Sequence, residues 1–93
     1  MLEKEIEKHL RKKVKAEGGE CFKLVGTFKA GIPDRLVILP GGIVVFVELK
    51  APGKKARRLQ EIMHHRLKKL GALVAVLDSK TAVNKFIDDA KKK

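Results

Sequence analysis

The chain has 93 residues, 22 of them Lys or Arg and 11 Asp or Glu, a formal charge of +11 with the three histidines neutral. That length holds a single domain, residues 1–93, and excludes two; a hydrophobic content of 44%, with no apolar run near the ~18 residues of a membrane span, excludes a disordered chain and a transmembrane anchor. The positive excess predicts a polyanionic partner, DNA before an acidic membrane.

Residues 2–16 read as a helix, because Leu2, Ile6, Leu10 and Val14 recur every four residues and Gly18-Gly19 follow as a terminator. The opening MLEKEIEKHL lacks the apolar centre of a secretory signal, and the single Cys21 fits a small buried hydrophobe in a reducing compartment, so the expected location is the cytoplasm. CFKLV at 21–25 predicts a short strand, and GTFKAGIP at 26–33 a loop that delivers Asp34. RLVIL at 35–39 and IVVFVELK at 43–50, joined by Pro40-Gly41-Gly42, predict a hairpin. Its two faces are both apolar, which places it at the centre of a sheet covered on both sides.

APGKK at 51–55 is a basic loop, and residues 56–70 predict a second helix whose stripe of Leu59, Ile62, Met63 and Leu70 faces the core. ALVAVL at 72–77 reads as a further buried strand, Asp78 or Ser79 as a cap, and residues 80–90 as a last helix through Val83, Phe86 and Ile87. Lys91-Lys92-Lys93 is expected to be a frayed basic tail. The order is α-β-β-β-α-β-α, an α/β class with a mixed sheet, its antiparallel hairpin central and flanked by helices.

Asp34 and Glu48 end the two most apolar strands, where a carboxylate is costly to bury alone. Either a hard divalent cation compensates them, or an ion pair to Lys50 or Arg35 does. A third acid comes from the first helix: at ~100° per residue Glu3 falls inside the apolar stripe, Glu7 at its edge and Glu5 well away, which favours Glu3. Lys50 follows Glu48 by two and shares its face, where an ammonium can orient a metal-bound water and stabilise charge on a phosphate under attack. Gln60 sits one turn into the second helix, on the flank of its stripe. His64 and His65 are expected to point away from that stripe and His9 to lie on the surface, none at zinc-ligand spacing. Lys54, Lys55, Arg57 and Arg58 are candidate phosphate contacts. With four Phe and neither Trp nor Tyr, backbone contact with a duplex is expected over stacking on single strands.

The run GIPDR, Glu48-Leu49-Lys50 fourteen positions after Asp34, and Gln60 together resemble the virus-type replication-repair nuclease (VRR-NUC) family of the PD-(D/E)XK nuclease superfamily, over nearly the whole chain. The resemblance implies a restriction-endonuclease-like α-β-β-β-α-β core and a Mg2+- or Mn2+-dependent endodeoxyribonuclease, a hydrolase that leaves a 5′-phosphate. It implies metal ligands at Asp34, Glu48, the Leu49 carbonyl and Glu3, a catalytic lysine at Lys50 and an assisting amide at Gln60. A basic residue at Lys23 and a tight loop at Gly31 also match; a Ser commonly follows the helix-one Glu, where this chain has Lys4. Small stand-alone members resemble phage enzymes and archaeal junction resolvases. The expectation is therefore a homodimer that cuts branched DNA such as Holliday junctions in DNA repair, in a bacterial cell or a phage-infected host. The alternatives are a non-catalytic DNA-binding protein on the same fold, or a flap or nicking nuclease subunit of a larger repair or replication complex.

Overall fold

The computed structural model describes residues 2–25 and 30–92; positions 26–29 of the expected loop, and Lys93, lie outside them. The elements run α1 (Glu3–Ala16), β1 (Glu20–Lys23), β2 (Arg35–Leu39), β3 (Ile43–Leu49), α2 (Arg58–Lys69), β4 (Leu73–Leu77) and α3 (Lys80–Lys91). The predicted order and mixed sheet are borne out, with boundaries shifted by one or two residues. Strand order is β1-β2-β3-β4, antiparallel across β1–β2 and β2–β3 and parallel across β3–β4.

Sequence patterning explains most of this architecture. Ile6, Leu10 and Val14 of α1 are fully buried, on one helical face, each contributing about 1.5–3 kcal/mol by leaving water. Opposite them the odd-numbered residues Val37, Val45, Val47 and Leu49 point to the same side of the sheet, and Val83 and Ile87 of α3 complete this core. Ser79 caps α3, its Oγ accepting from the Ala82 N–H at 3.0 Å. The β2–β3 turn spans Pro40, Gly41 and Gly42, so that Leu39 pairs with Ile43; both glycines take positive φ, 90° and 76°, which a side chain would disfavour.

Several expectations fail. Leu2 is 60% exposed, because the helix begins one residue after it. Lys91 is not frayed: it closes α3 and reaches Glu17 at 3.6 Å. The sheet is well covered on the α1/α3 side only. On the other side α2 lies across β4 and leaves Phe22, Ile38 and Val44 exposed. The predicted stripe of α2 is not core either, since Leu59, Ile62 and Leu70 are exposed while Met63 and His64 are buried. At ~100° per residue the buried side, Gln60, Met63, His64 and Leu67, is turned about a quarter revolution from the predicted one. The cause is polar: the buried carboxylate of Glu48 lies beneath α2 and draws the Gln60 amide onto itself. β4, expected to be buried, has Leu73 and Val76 substantially exposed because it is an edge strand that α2 and α3 cover only in part.

Candidate active site

The register of the hairpin assembles the site. Arg35 pairs with Val47; one step beyond that pair the same register brings the Asp34 backbone level with Glu48, whose charge acts on the Asp34 carboxyl, while the Asp34 side chain lines the cleft toward α1 with Glu3, Arg35 and Leu49. The Asp34 carbonyl accepts from the Leu24 N–H at 2.9 Å, and its Oδ1 accepts from the Leu49 N–H at 3.3 Å. These bonds carry the ladder past the last strand residue and fix the carboxylate against the end of β3.

Glu48 is 3% exposed, and its two oxygens differ. Oε2 receives the Lys50 ammonium at 3.2 Å and the Gln60 Nε2–H at 3.0 Å. Oε1 is buried with no hydrogen-bond partner among the described residues. Gln60 is itself held, because its Oε1 accepts from the Arg57 N–H at 2.8 Å; one amide thus closes the first turn of α2 and fixes the carboxylate below.

Asp34 is pushed up to about 6 from an ordinary 3.8, by its burial first and then by the Glu48 carboxylate, with Glu3 adding to the effect; Arg35 and the Leu49 N–H offset it only in part. Two interacting acids in a partly dry setting make a site short of positive charge. Both ion pairs weighed as the alternative to a cation do form, Lys50 with Glu48 and Arg35 with Asp34 at 3.6 Å. They leave the Asp34 proton held too tightly and Glu48 Oε1 unsatisfied.

Glu3 lines, with Lys4, Glu7, Lys23, Asp34, Arg35 and Leu49, a cleft of about 440 Å3. Glu7 lines it too, yet is occupied by Arg11 at 2.9 Å and by Arg35 at 3.7 Å. Glu3 is exposed at the cleft rim and not turned inward as its place in the stripe predicts, because it lies in the first turn of α1, and Glu7 is the half-buried acid; among the described residues Glu3 carries no ion pair, and Glu5 does not line the cleft. Lys23 is exposed at its rim. Lys54 and Lys55 border a second groove with Glu61 and Asp78, and Arg57 and Arg58 are exposed where α2 begins. Lys23 therefore lines the cleft of Asp34, while Lys54, Lys55, Arg57 and Arg58 lie on the loop and first turn leading into α2, whose Gln60 reaches Glu48.

A metal fits this donor set: a carboxylate with one oxygen fixed and the other buried and unpartnered, a second carboxylate short of compensation, and the backbone of Leu49 between them. Among the described residues no ready cluster of three His, Cys, Asp or Glu side chains exists. The acids brought together are Asp34 and Glu48, with Glu3 lining the cleft beside Asp34.

Two groups escaped the sequence reading. Arg35, expected only as an ion-pair partner of the strand-end acids, spans from Asp34 to Glu7 and ties β2 to α1; strand alternation puts it on the α1 side. His64 does not point outward as expected. It is 6% exposed, with burial lowering its pKa despite the Glu48 charge, and the signal was its place one turn after Gln60 on the same helix face. His9 lies between two helices, Nε2 at 2.8 Å from Asn84 Oδ1.

An acid pair across a strand hairpin, a lysine two residues on, and a helix amide over the second acid define the PD-(D/E)XK class of site. No model of a protein family matches the chain. It is 51% identical over 77 residues, 83% of each chain, to a protein of Acyrthosiphon pisum secondary endosymbiont phage 1 described as "Putative nuclease p44". A solved "VRR_NUC domain" superposes with a TM-score of 0.85 at 38% identity, covering 92% of this chain and 94% of the other. The chain belongs to the VRR-NUC family and is a nuclease domain.

Proposed function

We propose that the protein is a Mg2+- or Mn2+-dependent DNA endonuclease that works as a homodimer on branched DNA. The observation that carries the metal reading is the division of labour on Glu48, one oxygen held by Lys50 and Gln60 and the other buried without a partner among the described residues. Asp34, Glu48 and the Leu49 carbonyl are the residues to hold the ion, with Glu3 completing the set directly or through water. When bound, the ion supplies a nucleophilic water at neutral pH and neutralises charge on the scissile phosphate.

The chain's own residues do the rest. Lys50 keeps Glu48 Oε2 in place and presents an ammonium where the attacking water and the charge developing on phosphorus need one. Gln60 stops Glu48 from swinging toward solvent. Lys23 on one side, and Lys54, Lys55, Arg57 and Arg58 on the other, hold the DNA backbone by phosphate contact, which favours shape over base sequence. A junction offers two symmetric strands and each chain carries one acid pair, so two copies match it.

Incubating the purified protein with linear, flapped and four-way DNA, with Mg2+, with Mn2+ and with chelator, tests this reading. Cutting of the four-way substrate only with a divalent ion is expected. Undiminished cutting in chelator overturns the metal site, and a strict preference for flaps overturns the junction assignment.

A further inference from the structure

Beneath α2 lies a buried imidazole that the chemistry described so far does not use. His64 is 6% exposed, and its Nε2 is buried with no hydrogen-bond partner among the described residues. A leucine or methionine at this position would fill the space without an unpaired polar atom, as the buried Met63 beside it does. Position 64 therefore carries a polar group where packing alone calls for none.

Its neighbours show what it faces. His64 follows Gln60 by one helical turn on the same side of α2, and Gln60 Nε2 donates to Glu48 Oε2 at 3.0 Å. Glu48, on β3 below, is the first of the charges that act on the imidazole, ahead of Lys68, Lys50 and Glu61. On that carboxylate Oε1 is the atom buried without a partner among the described residues. A third such atom, Arg35 Nε, lies elsewhere, beside Glu7 of α1. Two orphaned polar atoms thus belong to one interface, between α2 and β3: an acceptor with two lone pairs, and a ring nitrogen that donates in one tautomer. Among the described residues no side-chain hydrogen bond joins them directly, and a polar gap of this kind suits a single buried water.

We propose that His64 is a positioning residue for Glu48: as the Nε2–H tautomer it donates to one buried water, which donates in turn to one lone pair of Oε1 and leaves the other lone pair for the metal ion of the proposed function. Lys50 and Gln60 hold Oε2 and the imidazole steadies Oε1, so both oxygens are oriented before an ion arrives. The ring has to be neutral for this, because an imidazolium would pair with Glu48 as a cation in its own right. Burial, with Lys68 and Lys50, keeps it neutral against Glu48 and Glu61, which favour the charged form. His64 acts through Glu48 and touches neither ion nor DNA.

This role rests on Glu48 as a metal ligand, so the first measurement is made without metal. In metal-free protein at about pH 7.5, heteronuclear NMR of the histidine rings should show His64 as the neutral Nε2–H tautomer. Glu48→Gln should shift that resonance more than those of His9 and His65. His64→Leu should melt in chelator at or above the temperature of the unaltered protein, yet bind Mn2+ about tenfold or more weakly by isothermal titration. His64→Gln, whose amide donates to the same water, should recover most of that affinity, and DNA affinity in chelator should be equal in all three. An Nδ1–H tautomer or a charged ring at that pH overturns the role, and so do Leu and Gln variants that bind Mn2+ as tightly as the unaltered protein. Equal weakening in both variants, matched by equal falls in melting temperature, makes His64 a packing residue only and overturns it as well. If the unaltered protein binds no Mn2+, the metal reading of Glu48 fails, while the Nε2–H resonance and its response to Glu48→Gln still decide whether His64 holds that carboxylate.

Discussion

The Asp34 backbone comes level with Glu48 because the three-residue turn pairs Leu39 with Ile43 and Arg35 with Val47, one step short of the two acids. A two-residue turn would set Asp34 against Leu49 instead. The register thus decides whether one cation can bridge both carboxylates, and the catalytic prediction rests on that bridging. Asp34→Asn and Glu48→Gln should each lower the single-turnover cleavage rate by more than the ~10–100-fold typical of losing an outer partner of a metal site, while DNA affinity holds or rises as a negative charge facing the backbone is removed. Activity retained in either variant, measured on the same substrate, contradicts the assignment.

Stability should depend on pH through Asp34. The folded chain holds that proton with a pKa of about 6 against an ordinary 3.8, so ionisation costs folding free energy. The penalty is absent below about pH 4, grows between about pH 4 and 6 and is constant above. In chelator, Asp34→Asn should therefore melt at a higher temperature than the unaltered protein at about pH 7.5, with the difference vanishing near pH 4. Added Mg2+ should raise the melting temperature of the unaltered protein at about pH 7.5 and do much less at about pH 5. Equal melting curves for the two proteins in chelator at both pH values would contradict the raised pKa.

Gln60 is a positioning residue whose two ends act together. Gln60→Ala removes the donor to Glu48 Oε2 and the acceptor for the Arg57 N–H. The expected cost is about 10–100-fold in rate, with a weaker apparent metal affinity by isothermal titration and little change in DNA binding. Gln60→Glu should be worse than Ala for metal-free stability, since it sets a second acid against Glu48. A variant that lowers DNA affinity as much as rate would assign Gln60 to phosphate contact.

The three acids of α1 should separate by assay. Glu3→Gln should reduce cleavage, because Glu3 shares the cleft of Asp34. Glu5→Gln should leave both cleavage and melting temperature unchanged. Glu7→Gln should lower the melting temperature, on the order of 1 kcal/mol of stability for a partly buried pair, by freeing Arg35 and Arg11. Equal rates for Glu3→Gln and Glu5→Gln would remove α1 from the site.

The fold was legible where one physical rule acted alone. Period-four spacing in α1 placed Ile6, Leu10 and Val14 in the core, alternation in β3 did the same for Val45 and Val47, and counting the turn gave the Leu39–Ile43 register of the hairpin. It was illegible where two rules competed. In α2 the apolar stripe and the polar demand of Glu48 ask for different faces, and the buried carboxylate wins because an unsatisfied charge costs more than an exposed Leu59 or Ile62. The inward His64 follows from the same rotation. The bare sheet half could not be read either, since apolar residues in a strand look alike in sequence whether or not a helix covers them.

The double use of the Gln60 amide ties hydrogen exchange to chemistry. Opening the first turn of α2, a small local fluctuation in most helices, here cannot occur without also releasing Glu48 from one of its two donors. Amide protection at Arg57 is therefore a direct gauge of how often the carboxylate is out of position. Any substrate or ion that fixes Glu48 should slow that one exchange rate far more than it slows exchange at the other end of the same helix.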